Sequence, residues 1–287
     1  MRVVRMAAAA VMQGASIAGQ QATFIPPVFR QIRAAWRLAL VALHLGWGCS
    51  VVALTFPWRS IPSQRRAKRI WSRQLLRRLG IRLEAGGVLP ECGVLVVANH
   101  VSWIDIFVIN ALRACAFVCK DDVRHWPVIG WLTARTETIF IQRGSRSAAR
   151  RTAEEVAEAL RQDGAIVAFP EGTTTNGTEL LPFRPAMLQA AIDAQVPLVP
   201  VAIRYRDRGN AISPAPAYDG DISLMQCLRA ITLADDLVAV ATVLPAIDAP
   251  TARRHLADAA HARIAEQLGF EVAGVAVAED GASREEL

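Results

Sequence analysis

Apolar and charged positions divide the chain into two unlike parts. The first part contains the most apolar stretch, Leu38 to Phe56, whose single ionisable residue is His44. As a helix rising about 1.5 Å per residue, it would be about 28 Å long, close to the thickness of a bilayer core. The pattern predicts a membrane-associated helix, with a buried core helix as the alternative. Whether the helix spans the bilayer or dips into it stays open.

Basic residues surround this apolar stretch. Three arginines precede it, Arg30, Arg33 and Arg37. A dense run of Lys and Arg follows it between Arg59 and Arg78, with apolar residues at helical spacing between them. This run predicts an amphipathic basic helix. Because basic residues lie on both sides, the positive-inside rule gives no crossing direction. We expect these flanks to bind an anionic membrane surface.

From Gly93 onward, short apolar runs alternate with amphipathic segments. The runs Val94–Ala98, Ala165–Phe169 and Val199–Tyr205 are bounded by turn residues and are typical of buried strands. Residues 147–162 place small and apolar side chains on one face and charges on the other, which predicts a helix between strands. The alternation predicts an α/β fold with a mixed, largely buried sheet flanked by helices, preceded by the helical membrane anchor.

We expect four segments along the chain. Residues 1–29 are interpreted as a flexible leader, 30–83 as the helical membrane-association segment, 84–270 as the α/β domain and 271–287 as a loose tail. The 287 residues suffice for one large domain with an ample core. A composition of 53% hydrophobic and 20% charged residues excludes intrinsic disorder and argues against many membrane spans.

The net charge of +6 favours an anionic partner: nucleic acid, an anionic membrane or a phosphorylated substrate. We expect no nucleic-acid binding, because the basic segment has no zinc-site spacing, recognition motif or stacking platform beside it. The five cysteines are scattered without a metal-site spacing. They are interpreted as reduced, mostly buried thiols of a cytosol-facing domain.

His100 and Asp105 follow the apolar run 94–98, at a strand-to-helix junction where α/β enzymes place their sites. Five positions apart, they would lie on different faces of one continuous helix. They meet only if His100 lies in the loop and Asp105 in the first turns of the helix. The carboxylate would then hold one imidazole nitrogen and leave the other free as a base for a hydroxyl. An incidental His and a helix-capping Asp are the alternative.

Two further polar groups follow strand ends. Arg143 comes after the run Thr138–Ile141, and its planar guanidinium suits a phosphate or a carboxylate. A solvated arginine after an edge strand fits the same pattern. Glu171 and Gly172 stand in a Pro-Glu-Gly turn, where the carboxylate and nearby amides could hold a polyol headgroup or an oxyanion. A simple turn is the alternative.

Four segments, in this order, resemble the motifs of the lysophosphatidate acyltransferase family. They read Asn99-His100…Asp105, Phe140-Ile141-Gln142-Arg143, Phe169-Pro170-Glu171-Gly172-Thr173 and Val196-Pro197…Pro200-Val201. Lys120, followed by the stretch Trp126 to Gly130, stands where family members carry a lysine and a turn. The resemblance covers about Trp71 to Ile203 well and the remainder loosely.

The resemblance implies an O-acyltransferase that needs no metal and forms no covalent acyl-enzyme. His100, oriented by Asp105, would take the proton from a lysolipid hydroxyl, which attacks the thioester of acyl-CoA or acyl carrier protein. Arg143 would bind the substrate phosphate. The other implied substrate-binding residues are Lys120, Glu171, Gly172 and Thr173. The favoured acceptor is 1-acylglycerol-3-phosphate, giving phosphatidic acid. We expect the catalytic domain on the cytoplasmic face of the inner (plasma) membrane.

One departure from the family pattern bears on the acceptor. Many members continue the Phe-Pro-Glu-Gly-Thr motif with Arg-Ser, where this chain has Thr174 and Thr175. Arg184 could supply the missing charge as a substrate-binding residue. Alternatively, the acceptor is another lysolipid such as lyso-ornithine lipid, whose acyltransferases resemble this branch. The alternative from another class is a non-catalytic membrane-surface binding protein, against which the intact His100 and Asp105 argue.

Overall fold

The computed structural model describes residues 26–91, 93–125, 128–141, 146–248 and 252–271. Most of the expected leader and of the expected tail lies outside these ranges. The helices are α1 (Pro27–Thr55), α2 (Ile61–Leu79), α3 (Asp105–Leu112), α4 (Ile129–Thr133), α5 (Arg146–Arg161), α6 (Gln189–Ala194), α7 (Leu224–Leu233) and α8 (Arg253–Leu268). The strands are β1 (Arg82–Gly86), β2 (Val94–Ala98), β3 (Ala116–Lys120), β4 (Thr138–Ile141), β5 (Ala165–Ala168), β6 (Leu198–Arg206) and β7 (Val238–Val243).

Within the described residues, the strands form one sheet in the order β1-β7-β6-β2-β5-β3-β4. The five strands from β6 to β4 run parallel to one another, whereas β7 is antiparallel to β6 and β1 is parallel to β7. Every residue of β2 and β5, near the middle of the sheet, is buried. The predicted mixed, largely buried sheet is therefore confirmed.

Helices cover both faces of the sheet, which is why its central strands are continuous apolar runs. On one face, α2, α3 and α7 pack their apolar residues against β2, β6 and β7. On the other face, α5, α6 and α8 form the second part of the core. The parallel strands end at one edge between these layers, where strand-to-helix loops collect functional groups in such folds.

Helix α1 packs against the domain along one side and leaves its other side exposed. Its buried positions include His44 and Gly48, which face α2. Its exposed side carries a stripe of large apolar residues, named here the apolar stripe: Phe29, Ile32, Trp36, Leu43, Trp47 and Leu54. Among the described residues, the helical stretch Pro27–Trp58 alone is long and apolar enough to cross a membrane, judged by length and composition. Helix α1 begins slightly before the expected boundary at residue 30.

His44 and Trp71 join α1 to α2. Their rings stack with centroids 4.7 Å apart and an interplanar angle of 10°. Nε2 of His44 donates to the Trp71 carbonyl at 3.0 Å, and the Trp71 indole N–H donates to the His44 carbonyl at 3.2 Å. Gly48 makes room for the indole, because a Cβ at this position would lie 2.5 Å from Trp71 Nε1. The lone ionisable residue of the apolar stretch is thus a contact between helices.

The arginines that precede the apolar stretch contact the end of α7. Arg30 and Arg33 each place a guanidinium nitrogen 2.7 Å from the Asp235 carboxylate. Arg37 donates to the carbonyl of Thr232 at 2.9 Å. We expected these arginines to bind lipid headgroups, but in the structure they fix α1 to the domain. The reason is that Arg30 and Arg33 both form ion pairs with the carboxylate of Asp235, which is only 10% exposed.

A second polar contact fixes α2 to the sheet. The buried Lys68 ammonium donates to the carbonyls of Cys115 at 2.8 Å and Thr136 at 3.1 Å. Arg65 forms an ion pair with Glu137 at 2.8 Å. Part of the basic run is therefore engaged within the protein, while Arg59, Arg66 and Arg69 remain exposed.

Candidate active site

The ends of β2 and β5 bring two loops together. Because these parallel strands are neighbours, the chain leaves both at the same edge of the sheet. The loop after β2 contains His100, and the loop after β5 contains Phe169 and Glu171. The imidazole of His100 stacks on the Phe169 ring with centroids 3.9 Å apart and an interplanar angle of 13°. The amide of Thr175 donates to the His100 carbonyl at 2.9 Å, so the two loops also share backbone contacts.

His100 and Asp105 meet as the spacing required. Asp105 is the first residue of α3, and its fully buried carboxylate lies 2.9 Å, through Oδ2, from Nδ1 of His100. The same oxygen accepts the amides of Val101 at 2.8 Å and Ser102 at 2.9 Å. Since a carboxylate accepts, Nδ1 carries the proton and Nε2 is left as the basic nitrogen. The His100 side chain is 19% exposed, so part of it reaches the surface.

Tyr205 is the functional residue that sequence reasoning missed. Its hydroxyl donates to the second oxygen of Asp105, Oδ1, at 2.6 Å. The residue lies near the end of β6, and the sequence pattern assigned it only to a strand. Its single local signal is a tyrosine on the inward face of a strand that otherwise carries Val and Ile there.

Glu171 braces the loops around His100. Its side chain is buried, with Oε1 accepting the His100 amide at 2.7 Å and Oε2 accepting the Leu181 amide at 2.9 Å. Burial raises the pKa of Glu171 to about 7, against the opposing effect of the two amide donors. Both oxygens of this carboxyl group already accept backbone hydrogen bonds. Its predicted contact with an acceptor headgroup stays a prediction.

Gly172, Thr173 and Arg184 lie together at the surface of the same turn. Gly172 has φ +75°, and a Cβ there would lie 3.1 Å from Cζ of Arg184. Arg184 is held by its own amide, which donates to the Pro170 carbonyl at 2.9 Å, and its side chain is exposed. Among the ion pairs of the described residues, none involves Arg184. The guanidinium therefore stands over a glycine turn, beside the exposed Thr173.

Thr174 and Thr175, which depart from the family pattern, support neighbouring loops. The hydroxyl of Thr174 donates to the Tyr218 carbonyl, and the amide of Tyr218 donates to the Val101 carbonyl at 3.0 Å. Thr175 holds the His100 carbonyl, as described above. These positions add no positive charge to the turn, which leaves Arg184 as the nearby cation that the structure describes.

Two of the predicted site residues are not described at side-chain level. Arg143 lies outside the described residues. The backbone of Lys120 ends β3, where it pairs with Ile141 of β4. Their predicted contacts with the substrate phosphate stay predictions.

Comparisons with known proteins show what this chain is similar to. A sequence model of the family described as Acyltransferase matches residues 81–204. The 1-acyl-sn-glycerol-3-phosphate acyltransferase of Neisseria meningitidis serogroup B is 35% identical over 218 residues, which are 73% of this chain and 85% of the relative. The lyso-ornithine lipid O-acyltransferase of Pseudomonas aeruginosa is 39% identical over 199 residues, which are 69% of this chain and 76% of the relative.

A solved structure is similar in fold. The crystal structure of the 1-acyl-sn-glycerophosphate (LPA) acyltransferase of Thermotoga maritima superposes with a TM-score of 0.62, covering 84% of this chain and 96% of that chain. The two sequences are 18% identical, so this likeness concerns the arrangement of the helices and the sheet.

Proposed function

The chain belongs to the lysophosphatidate acyltransferase family of O-acyltransferases, and from this premise we propose its reaction. It moves a fatty acyl group from the thioester of acyl-CoA or acyl carrier protein to the free hydroxyl of a lysolipid. It works on a membrane, with the catalytic domain on the cytoplasmic face of the inner (plasma) membrane. The observation that carries the proposal is the 2.9 Å contact between Nδ1 of His100 and the buried Asp105, which leaves Nε2 as the base on a side chain that is 19% exposed.

In the proposed reaction, Nε2 of His100 removes the proton of the lysolipid hydroxyl as its oxygen attacks the thioester carbonyl. A carbon–oxygen bond forms, the carbon–sulfur bond breaks, and the protonated imidazole returns its proton to the departing thiolate. Asp105 keeps the tautomer that makes Nε2 the base and stabilises the imidazolium while it exists. The stack on Phe169 holds the imidazole plane in the orientation in which Nδ1 contacts Asp105 and Nε2 meets the lysolipid hydroxyl.

The acceptor in this proposal carries an anionic headgroup bound by Arg184. An exposed guanidinium over a glycine turn offers two parallel N–H donors to a phosphate or carboxylate. We favour 1-acylglycerol-3-phosphate, which yields phosphatidic acid. Lyso-ornithine lipid is the second candidate, because Thr174 bonds a backbone carbonyl where many family members carry a cation. The ornithine headgroup pairs its one carboxylate with an ammonium group of its own, so it needs fewer protein cations than a phosphate.

The membrane part of the proposal rests on the apolar stripe of α1. The lysolipid has one fatty chain in the bilayer, and removing it to water costs about 0.8 kcal/mol for each CH₂. A domain that sits on the bilayer through the apolar stripe reaches the acceptor without extracting it. The exposed arginines of α2, Arg66 and Arg69, would face anionic headgroups.

The test is acyl transfer by the purified full chain in vesicles. Acyl-CoA and acyl carrier protein are each combined with 1-acylglycerol-3-phosphate, lyso-ornithine lipid and other lysolipids, and products are identified by mass spectrometry. We expect an acylated lipid with the wild type and none above background with His100→Ala, which still binds vesicles. Full turnover by His100→Ala contradicts the base role. Absence of any product from a folded, vesicle-bound wild type favours the non-catalytic binding protein.

Arg184→Ala tests the acceptor contact in the same assay. Loss of a charge-assisted hydrogen bond raises KM for the anionic acceptor about 10-fold or more and leaves KM for the acyl donor unchanged. Arg229→Ala is the control, because Arg229 is an exposed arginine on α7, which packs on the other face of the sheet from the segment around Phe183. Equal effects of Arg184→Ala on both KM values would show that Arg184 does not bind the acceptor headgroup.

A further inference from the structure

The carboxylate of Asp105 is held unevenly at its two oxygens. Oδ2 accepts from the imidazole of His100 and from two backbone amides. Oδ1 accepts, among the described residues, from the hydroxyl of Tyr205 alone, at 2.6 Å. Asp105 is 0% exposed, so no bulk solvent reaches Oδ1. A buried carboxylate oxygen without a donor is costly, and therefore the tyrosine hydroxyl determines how this carboxylate is turned.

The sheet delivers Tyr205 to this place through Asn99. The Asn99 side chain donates to the Ile203 carbonyl at 2.9 Å and accepts the Ile203 amide at 2.7 Å, which fixes β6 against the end of β2. Tyr205 lies two residues further along β6 and therefore on the same face as Ile203. The side chain beside His100 in sequence thus sets the position of the tyrosine below the His100–Asp105 pair.

The phenol of Tyr205 keeps its proton, and so remains a donor, beyond the pH at which an exposed tyrosine ionises. Its side chain is 2% exposed, and burial raises the pKa of the phenol well above its ordinary value, with the nearby Asp105 carboxylate adding to the shift. The other titratable groups that interact with Asp105 are His100, Glu171 and the Cys227 thiol of α7. Among Tyr205 and these three groups, the hydroxyl of Tyr205 and the imidazole of His100 are the two that form a hydrogen bond with the Asp105 carboxylate.

We propose that Tyr205 is a positioning residue for acyl transfer, which fixes the Asp105 carboxylate so that His100 keeps its proton on Nδ1 and offers Nε2 as the base. This inference rests on the proposed function. Tyr205 touches neither substrate in it, because its ring is enclosed in the core and its hydroxyl is directed at Asp105. It acts through Asp105 on His100.

Tyr205→Phe tests the proposal with the ring retained. We expect kcat to fall about 10-fold, because a buried hydrogen bond to a charged group is lost, while both KM values stay unchanged. Without the hydroxyl dipole, Asp105 attracts the imidazolium more strongly. The acid limb of the pH profile of kcat therefore moves to higher pH. A merely structural tyrosine would lower the folded fraction and leave the profile of the folded enzyme in place.

A double-mutant cycle with Asp105→Asn separates the two roles further. If Tyr205 acts through the carboxylate, Tyr205→Phe has little additional effect on kcat once the carboxylate has gone. An equal fold-loss in both backgrounds overturns the proposal. Thr232→Val is the matched control, because it removes another fully buried hydroxyl, which bonds only within and beside α7, and it should leave the pH profile unchanged. Thermal unfolding shows that each variant is folded.

The outcome is separable from the proposed function. If the wild type transfers acyl groups and His100→Ala does not, the proposed function stands. A Tyr205→Phe enzyme with the wild-type kcat and the wild-type pH profile then overturns the positioning role alone. If the wild type forms no product, the proposed function fails first. In that case there is no catalytic rate for Tyr205 to influence, and the positioning role is overturned together with the proposed function.

Discussion

At the scale of single residues, two buried carboxyl groups organise the loops that follow β2 and β5. Asp105 gathers the amides of its own loop and the imidazole of His100. Glu171 reaches across from the neighbouring loop to the amides of His100 and Leu181. His100 is thus held at its ring by one carboxyl group and at its backbone by the other. Backbone amides supply most of these donors, and the side chains of His100 and Tyr205 supply the others.

Glu171→Gln should change the pH dependence of stability. The pKa of Glu171 in the folded protein, about 7, lies above its usual 4.5 because of burial, so the folded chain binds this proton more tightly than the unfolded chain. The stabilising contribution of the protonated group is complete below pH 4.5 and lost as the pH rises through about 7. The free energy of unfolding of the wild type, relative to Glu171→Gln, should therefore decrease between pH 5 and pH 8 in denaturant titrations.

Glu179→Gln is the control for this experiment. Glu179 is an exposed glutamate eight positions further along the same loop region, and its side chain has no hydrogen bond among those described. Its substitution should leave the difference from the wild type constant over the same pH range. A constant difference for Glu171→Gln as well would mean that this carboxyl group titrates normally.

At the scale of elements, the pairing of α1 with α2 depends on one close approach. The indole of Trp71 lies against the backbone of α1 at Gly48, where it can stack on His44 and bond its carbonyl. The two helices are also fixed separately to the domain, α1 through Asp235 and α2 through Lys68. Helices α1 and α2 and the α/β domain therefore form one packed unit.

Gly48→Ala and Gly46→Ala should have opposite effects on stability. Alanine raises helix propensity by about 1 kcal/mol at either position. At Gly48, its Cβ meets Trp71 Nε1 at 2.5 Å and forces the indole away, for which a cost of about 1–3 kcal/mol is typical. At Gly46 a Cβ has nothing within 4 Å. In detergent micelles, we expect a lower thermal midpoint and altered tryptophan fluorescence for Gly48→Ala, and an equal or higher midpoint for Gly46→Ala. A stabilised Gly48→Ala would disprove the contact.

Elements with a continuous apolar run or a long amphipathic pattern could be predicted from the sequence, whereas β1 and α7 were missed. The central strands β2 and β5 are uninterrupted apolar runs, so their prediction needs no neighbour. Strand β1 was missed because it lies at the sheet edge, is partly exposed and carries Arg82 and Glu84. Helix α7 was missed although the sequence carries a helix start signal there, the capping box formed by Ser223 and Gln226.

In the candidate active site, a contact that is local in sequence could be predicted and a contact between distant residues could not. The meeting of His100 and Asp105 followed from a five-residue spacing and a strand end, which are local features. The hydroxyl of Tyr205 comes from a strand a hundred residues further along the chain, and only the order of strands places it beside Asp105. A contact of this kind leaves no signal in the spacing of a single sequence.

At the scale of the whole molecule, the apolar stripe lies on a helix that is firmly docked to the domain. The docking uses Arg30, Arg33 and Arg37, so these cations are engaged within the protein. Attachment to a bilayer would then depend chiefly on apolar area, with a further contribution from exposed arginines of α2.

Replacing Trp36, Leu43 and Trp47 together by serine should weaken membrane binding. Each is more than half exposed, with relative exposures of 65%, 72% and 65%, so the fold loses little. In vesicle flotation, we expect the wild type to float with both neutral and anionic vesicles and the triple variant to float much less with either. Val88→Ser, at an 85% exposed valine after β1, is the control and should float as the wild type. Undiminished flotation of the triple variant would contradict attachment through the apolar stripe.

The ion pairs between α1 and Asp235 have a consequence for biosynthesis. Helix α1 is made before the residues that fix it, because Asp235 follows Arg33 by 202 positions and Thr232 follows Arg37 by 195 positions. Strand β1 likewise pairs in the sheet with β7, which is synthesised later. If α1 attaches to a bilayer as proposed, the nascent helix does so before its docking residues exist. Under that proposal, attachment of α1 precedes assembly of the α/β domain, which then packs against a helix already held at the membrane.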